Sequence, residues 1–165
     1  MTVDENKRAQ VLLIVNAPGT KDELFLKAKD WLYRTYKSGK TVQQLEDKEA
    51  GHILAHARTQ SLPWKAGLGI VNDAGDFSYD LTLDFKDGKA RLLMDNIYHQ
   101  KPTGERAMLI KGGANLADTY PANWGTLGKK TLTEHWNEMQ ERTKAELVAI
   151  ASSFQQAMSS NKSDW

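Results

Sequence analysis

The sequence predicts an α+β domain with the element order β-α-β-β-β-β-α. Two observations carry this prediction: a helix marked at both ends near the N-terminus, and a strand of clean period-two alternation that turns directly into a partner strand. A long amphipathic segment near the C-terminus supplies the second helix. The simplest packing is an antiparallel sheet with both helices on one face, which leaves the opposite face to solvent, a partner or a loop.

The first two elements are a strand over residues 9–16 and a helix over residues 20–38. The run from Val11 to Val15 is apolar throughout, which predicts a strand in a central position with both faces covered. Thr20 and Glu23 have the spacing of a capping box, and Gly39 suits the conformation that ends many helices. The apolar face of this helix consists of Leu24, Phe25, Ala28, Trp31, Leu32 and Tyr36.

Four strands follow, over residues 41–46, 52–59, 77–85 and 89–98. From Phe77 to Phe85 the odd positions are apolar and the even positions are polar, which is typical of a strand buried on one face. Asp87-Gly88 is a strong signal for the hairpin turn between the last two strands. The polar positions of these strands define the open sheet face, where we expect His52, His56, Arg58, Asp80, Asp84 and Asp95.

The last helix is predicted over residues 131–159, with Thr131 and Glu134 as a second capping box. Its apolar face should supply much of the core through Trp136, Met139, Thr143, Leu147, Ile150, Phe154 and Ala157. Residues 99–130 are rich in glycine and proline and resist assignment. A segment of this length is surplus to the topology, and we expect it to dock on the open face near Leu54 and Leu93 and to take part in binding.

Composition excludes several classes of function. The chain has 165 residues, which suits one domain spanning residues 1–165. It has no cysteine, so disulfides and thiolate sites are excluded. No apolar run approaches the roughly 20 residues of a membrane helix. The net charge is +1 without a basic cluster, which argues against nucleic acid as a partner.

No catalytic, cofactor or metal motif is present, and we expect no cofactor. His52 and His56 are four residues apart, which in a strand places them roughly 13 Å apart, too far to share one ion. The carboxylates of the open face are most simply a solvated surface. The best candidates for ligand binding are loop aromatic residues and two side chains of the open face: Trp64, Tyr120, Trp124, His56 and Arg58.

Several short motifs resemble a bacterial family of exported domains of unknown function that have a fold like the TATA-box-binding protein (TBP-like). They are Lys21-Asp22-Glu23-Leu24, Ala28-Lys29-Asp30-Trp31, Lys37-Ser38, Glu46-Asp47-Lys48-Glu49-Ala50-Gly51 and Lys86-Asp87-Gly88. The resemblance covers about residues 9–98 and, by pattern, the last helix. It implies a TBP-like fold and an extracytoplasmic location, and it brings no catalytic residues. The first residues of this chain carry no signal-peptide core, so a cytoplasmic location stays open.

These observations favour a non-catalytic binding or accessory domain that uses the open sheet face and residues 99–130. The partner is a small molecule or a protein, and the oligomeric state is open. The alternative is a hydrolase-like enzyme that uses the carboxylates and histidines of the open face, which a carboxylate and a histidine within hydrogen-bond reach in a pocket would favour.

Overall fold

The computed structural model describes residues 1–36, 41–60, 63–66, 70–73, 75–100, 114–119 and 129–160. Two helices, α1 (Lys21–Thr35) and α2 (Lys129–Ser159), pack on one face of a six-stranded antiparallel sheet. The strands of the described residues are β1 (Thr2–Val3), β2 (Ala9–Asn16), β3 (Thr41–Asp47), β4 (His52–Arg58), β5 (Pro63–Ala66), β6 (Ile70–Asp73), β7 (Asp76–Lys86) and β8 (Lys89–Gln100). The predicted α+β class and the position of both helices on one face are confirmed.

The order of strands across the sheet is β1-β2-β8-β7-β4-β3, and β5 pairs with β6 in a separate hairpin. Sequence analysis missed β1 and this hairpin, because each is short and lacks a sustained alternation. The five longer strands of the sheet were all predicted, with ends that differ by at most two residues.

The predicted central position of β2 is wrong. β1 covers only Ala9 and Gln10 of β2, so the rest of the strand has β8 as its single neighbour in the described chain. The apolar run is also covered on one face only: Val11 and Val15 are buried under the helices, whereas Leu12 and Ile14 point to the open face and are 52% and 62% exposed.

Helix α1 begins as predicted. The Thr20 amide donates to Glu23 Oε2 (2.7 Å) and the Glu23 amide donates to Thr20 Oγ1 (3.3 Å), so the capping box is complete. The helix ends at Thr35, and the predicted stop at Gly39 lies outside the described residues. Helix α2 begins at Lys129, which places Thr131 inside the first turn and not at the predicted cap.

The core lies between the sheet and the two helices, and its buried side chains form one cluster. Trp31 of α1 and Phe154 of α2 are both buried, as predicted, and their rings meet edge to face with centroids 5.1 Å apart. The Trp31 indole N–H also donates to Ser153 Oγ at 3.0 Å, which fixes the two helices side by side. That the whole chain is a single domain stays a prediction.

Gly51 explains one of the motifs that carry the family resemblance. It closes the turn between β3 and β4 with φ = 66°, a conformation that favours glycine. A Cβ at this position would lie 2.8 Å from the Phe85 carbonyl oxygen, which is too close for any side chain. The Gly51 carbonyl accepts from the Phe85 amide (2.9 Å), so this turn is bonded directly to the end of β7.

Residues 114–119 are the described part of the long segment that follows β8. Leu116 is fully buried in the core, and the Trp136 indole N–H donates to the Asp118 carbonyl at 2.6 Å. The Leu116 amide also donates to the Ile97 carbonyl of β8 (3.1 Å). For these six residues the predicted docking on the open face is wrong, because an apolar side chain beside α2 gains more by completing the core. The other residues of the segment beyond Gln100 and before Lys129 lie outside the described residues.

Candidate functional site on the open sheet face

The open face carries an apolar line that crosses five strands. Successive strand pairs place Leu12 opposite Leu93, Leu93 opposite Thr82, Thr82 opposite Leu54, and Leu54 opposite Leu45. We call these five residues the leucine row. Leu12, Leu45 and Leu54 are 52%, 64% and 39% exposed, so the row presents several apolar side chains in one line. Sheet formation alone therefore aligns leucines from four different strands.

A charged line, the arginine row, runs beside the leucine row and consists of Arg91, Asp84, His52 and Asp47. Arg91 donates to Asp84 Oδ2 through Nη2 (2.6 Å) and Nε (2.9 Å), and His52 Nδ1 lies 2.8 Å from Asp84 Oδ1. Partial burial works to raise the pKa of Asp84, but the hydrogen bonds from His52 and Arg91 outweigh it and lower that pKa below its usual value. Asp84 is therefore ionised at neutral pH and holds the side chains of His52 and Arg91 in place.

On the other side of the leucine row lies the acidic row, which consists of Asp95, Asp80 and His56. His56 Nδ1 lies 2.9 Å from Asp80 Oδ1, and the Asn96 side-chain amide donates to Asp80 Oδ2 (2.8 Å). Partial burial works to raise the pKa of Asp80, but the hydrogen bonds from His56 and Asn96 lower it further than burial raises it. Asn96 reaches this carboxylate because it stands at an irregular point of β8, with φ = 49°.

Asp95 lies directly opposite Asp80 in the same row and behaves in the opposite way. Burial and, next, the negative charge of Asp80 raise the pKa of Asp95. Two neighbouring carboxyl groups whose pKa values are pushed apart are the arrangement from which acid–base pairs are built. The acidic row therefore combines a firmly ionised group, a more basic carboxyl group and a histidine.

The five predicted binding residues divide into two groups. His56 and Arg58 both lie on the open face, where His56 binds Asp80 and the Arg58 guanidinium binds Asp76 at 2.9–3.0 Å. Trp64 falls in β5, but its side chain lies outside the described part of the chain, as do Tyr120 and Trp124 altogether. The structure thus brings together the two polar candidates and adds their carboxylate partners.

Sequence analysis did not predict the roles of Arg91, Asn96 or the leucine row. The sequence alone nevertheless indicates the position of Arg91 and of part of the leucine row. Counting outwards from the Asp87-Gly88 turn places Asp84 opposite Arg91 and Thr82 opposite Leu93, which is the register that the structure has. The pairing of β4 with β7 could not be counted in this way, because 17 residues separate these strands along the chain.

Two further findings concern the described residues alone. Neither helix in this part of the chain is sufficiently long and apolar to cross a membrane. No three histidine or acidic side chains among these residues stand where they could hold a metal ion together.

The chain is similar to one family of domains and to solved structures with the same fold. The model of the family "Domain of unknown function (DUF4468) with TBP-like fold" matches residues 13–100, slightly more than half of the chain. A DUF4468 family protein from Bacteroides ovatus is 12% identical, with a TM-score of 0.55 over 89% of this chain and 86% of that one. A TBP-like protein from Parabacteroides distasonis is 16% identical, with a TM-score of 0.58 over 92% of this chain and 96% of that one. No curated protein matched the sequence.

Proposed function

This chain belongs to the DUF4468 family of domains with a TBP-like fold, and we propose that it is a non-catalytic binding domain whose open face takes an amphipathic helix of a partner protein. The observation that carries the proposal is the leucine row, with three leucines 39–64% exposed on one face. Aligned apolar side chains flanked by polar ones are typical of an interaction surface.

The dimensions of the row favour a helix as the bound element. Five strands at about 4.8 Å apart span about 19 Å, which is the length of a helix of about 13 residues. The flanking rows are each two residues away along the strands, about 7 Å, so they lie beside a helix about 10 Å in diameter. A helix seated on the leucines would therefore present its own polar flanks to both charged rows.

The charges define the chemistry of that helix. The acidic row places Asp80 and Asp95 on one side of the leucines, whereas on the other side Arg91 neutralises Asp84. The acidic row has two carboxylates and no arginine, whereas Arg91 offsets one of the two carboxylates of the arginine row. The partner should therefore carry apolar residues at helical spacing and lysine or arginine mainly along the flank beside the acidic row. We also propose that the rest of residues 99–130 contributes to binding, since Tyr120 and Trp124 give it aromatic surface.

The test uses ¹⁵N-labelled protein and a synthetic helical peptide with leucines on one face and lysines along one flank. We expect amide shifts that map to the leucine row, and Leu54→Asp should weaken binding at least about tenfold. Leu26→Asp is the matched control, because Leu26 is 59% exposed on α1, which packs on the opposite sheet face. The same peptide with glutamates in place of lysines should bind less tightly. Equal loss in Leu54→Asp and Leu26→Asp would contradict a site on the open face.

We further propose that nucleic acid is not a partner, although the fold is named after a DNA-binding protein. The net charge of the chain is +1, and the open face contains Asp80, Asp84 and Asp95. These carboxylates would repel phosphate, so a DNA titration at low salt should show no binding tighter than about 0.1 mM. Micromolar binding with a steep salt dependence would overturn this proposal.

A hydrolase is the second candidate, and one observation favours it. His56 and Asp80 lie within hydrogen-bond distance, and the neighbouring Asp95 has a raised pKa. Such an enzyme should cleave activated esters or glycosides, and Asp80→Asn should abolish the reaction. Asp22→Asn is the control, because Asp22 is an exposed residue of α1 that pairs only with Lys48 among the described ion pairs. Activity that persists in Asp80→Asn would assign catalysis to another site or a contaminant.

The family resemblance supports an extracytoplasmic location, which we propose for this chain. The absence of cysteine agrees with export as well as with the cytosol. Fractionation of the native bacterium, with an antibody against this chain, should find it outside the cytoplasm. Recovery with cytoplasmic markers would contradict the proposal.

A further inference from the structure

We propose that β2 pairs antiparallel with β2 of a second copy of this chain, so that two sheets join edge to edge in a dimer. The pairing pattern of the sheet suggests it. β1 pairs with Ala9 and Gln10 alone, and beyond Gln10 no strand in the described ranges pairs with that side of β2. Within the described residues, the sheet therefore has an unpaired edge along β2 beyond Gln10.

The backbone groups along this edge can be assigned individually. The Ala17 amide donates to the Gly88 carbonyl at 2.9 Å, which shows that the odd-numbered residues here bond towards β8. Bonding direction alternates along an antiparallel strand, so Leu12, Ile14 and Asn16 direct their N–H and C=O groups away from β8. These are the donors and acceptors that an added strand would use.

The side chains at the edge suit self-association. Leu12 and Ile14 are 52% and 62% exposed, and Val3 of β1, the neighbouring strand, is 59% exposed. Residues 9–16 contain no charge and no proline, which are the usual means of preventing edge pairing. An uncharged β2 can therefore face a copy of itself without repulsion.

The opposite edge of the sheet is protected. β3 carries Glu46, which pairs with Lys29, and Asp47, and its register with β4 shifts between Thr41 and Gln43. Charges and bulges of this kind block the addition of a strand. Because β2 is the one edge of the described six-stranded sheet that lacks such protection, pairing through this sheet should stop at two copies and give a closed dimer rather than a filament.

The register of the dimer follows from β1. Outward-facing residues must pair with outward-facing residues, and β1 already occupies the edge at Gln10. A two-fold axis centred on Ile14 meets both conditions and pairs all three outward-facing residues, with Ile14 opposite its copy and Leu12 opposite Asn16 of the second copy. The shared ladder is five residues long, about 17 Å, so we expect it to bury less than the roughly 800 Å² per partner of a typical specific interface. The dimer should therefore form reversibly with concentration.

Sedimentation of the full chain over a range of concentrations tests the proposal. Ile14→Lys and Ile14→Glu each place like charges opposite one another, so each variant alone should have a dimer dissociation constant at least about tenfold higher than the unmodified chain. An equimolar mixture of the two variants should recover the dimer. Leu26→Lys is the control, because Leu26 is 59% exposed on α1, which packs on α2 and β7, and it should associate like the unmodified chain.

Hydrogen exchange gives a second readout, because a dimer should slow exchange of the Leu12, Ile14 and Asn16 amides and both Ile14 variants should restore fast exchange. The proposal is overturned if the unmodified chain stays monomeric up to about 1 mM. It is also overturned if Ile14→Glu leaves a dimer intact, or if the mixture of the two variants does not associate. Assemblies larger than a dimer would overturn the assignment of β3 as a protected edge.

Discussion

The two faces of the sheet alternate residue by residue along the same strands, yet they differ sharply in composition. On β4, Ile53 and Ala55 are 0% and 1% exposed beneath the helices, whereas Leu54 between them is 39% exposed. The helix face is closed by aromatic and aliphatic packing, and the open face combines one apolar row with two charged rows. The core and the proposed recognition surface thus occupy alternate positions of the chain, so substitutions on the two faces should have different consequences.

The largest expected difference between the faces comes from removing one large side chain. Phe154 is fully buried and packs on Trp31, so Phe154→Ala should lower the free energy of unfolding by about 3–5 kcal/mol. Leu54→Ala on the open face is the matched substitution and should cost less than about 1 kcal/mol. Chemical denaturation of both variants measures the difference. Comparable losses would show that the open face is part of the core.

Much of this division was predictable from local patterns. The alternation from Phe77 to Phe85 and the spacing of Trp31 and Phe154 on their helices predicted which side chains the core contains. These signals are local, because a period of two or 3.6 residues is visible within one element.

The order of strands was not predictable in the same way. The apolar run of β2 predicted a central strand, but its position near the edge depends on which distant strands pair. The leucine row depends on the register between β4 and β7, and the two His–Asp pairs depend on it too. No local pattern in either strand specifies that register, so the candidate site became visible only with the sheet assembled.

The second prediction concerns a polar contact inside the closed face. The hydroxyl groups of Tyr36 and Tyr79 lie 2.9 Å apart in the core, and burial raises the pKa of Tyr79 to about 12 and that of Tyr36 well above its usual value. Because the pKa of each tyrosine is higher in the folded chain than in the unfolded chain, the contribution of the pair to the free energy of unfolding is fully present below about pH 10. It is lost as the pH rises through the folded-state pKa. The loss from Tyr79 alone should be about 2–3 kcal/mol.

Denaturation between about pH 9 and pH 12 measures this loss. In the double variant Tyr36→Phe, Tyr79→Phe, the free energy of unfolding should fall much less between these pH values. At pH 7 it should differ from that of the unmodified chain by less than about 1.5 kcal/mol, because both hydroxyl groups are removed together. If the double variant loses as much unfolding free energy at high pH as the unmodified chain does, the pH dependence comes from other groups.

The smallest expected effects lie on the open face, where two carboxylates should respond with opposite signs. The pKa of Asp84 is lowered although partial burial works against it, because His52 and Arg91 donate hydrogen bonds to the carboxylate. Its contribution is therefore present above the unfolded pKa of about 4 and is lost as the pH falls through the folded value. The pKa of Asp95 is raised by burial and by Asp80, so its ionised form weakens the folded state at neutral pH.

Asp84→Asn should accordingly lower the free energy of unfolding at pH 7, and Asp95→Asn should raise it, each by less than about 1 kcal/mol because both side chains are partly solvated. At about pH 3 the difference for Asp95 should be the smaller fraction of its value at pH 7, because a carboxyl group with a raised pKa is protonated first. The difference for Asp84 should start to shrink, because the unfolded chain binds a proton there before the folded chain does. Urea denaturation at the two pH values measures them. Changes of the same sign at pH 7 would show that the charge of Asp80 does not raise the pKa of Asp95. The acidic row could then not be described as an acid–base pair.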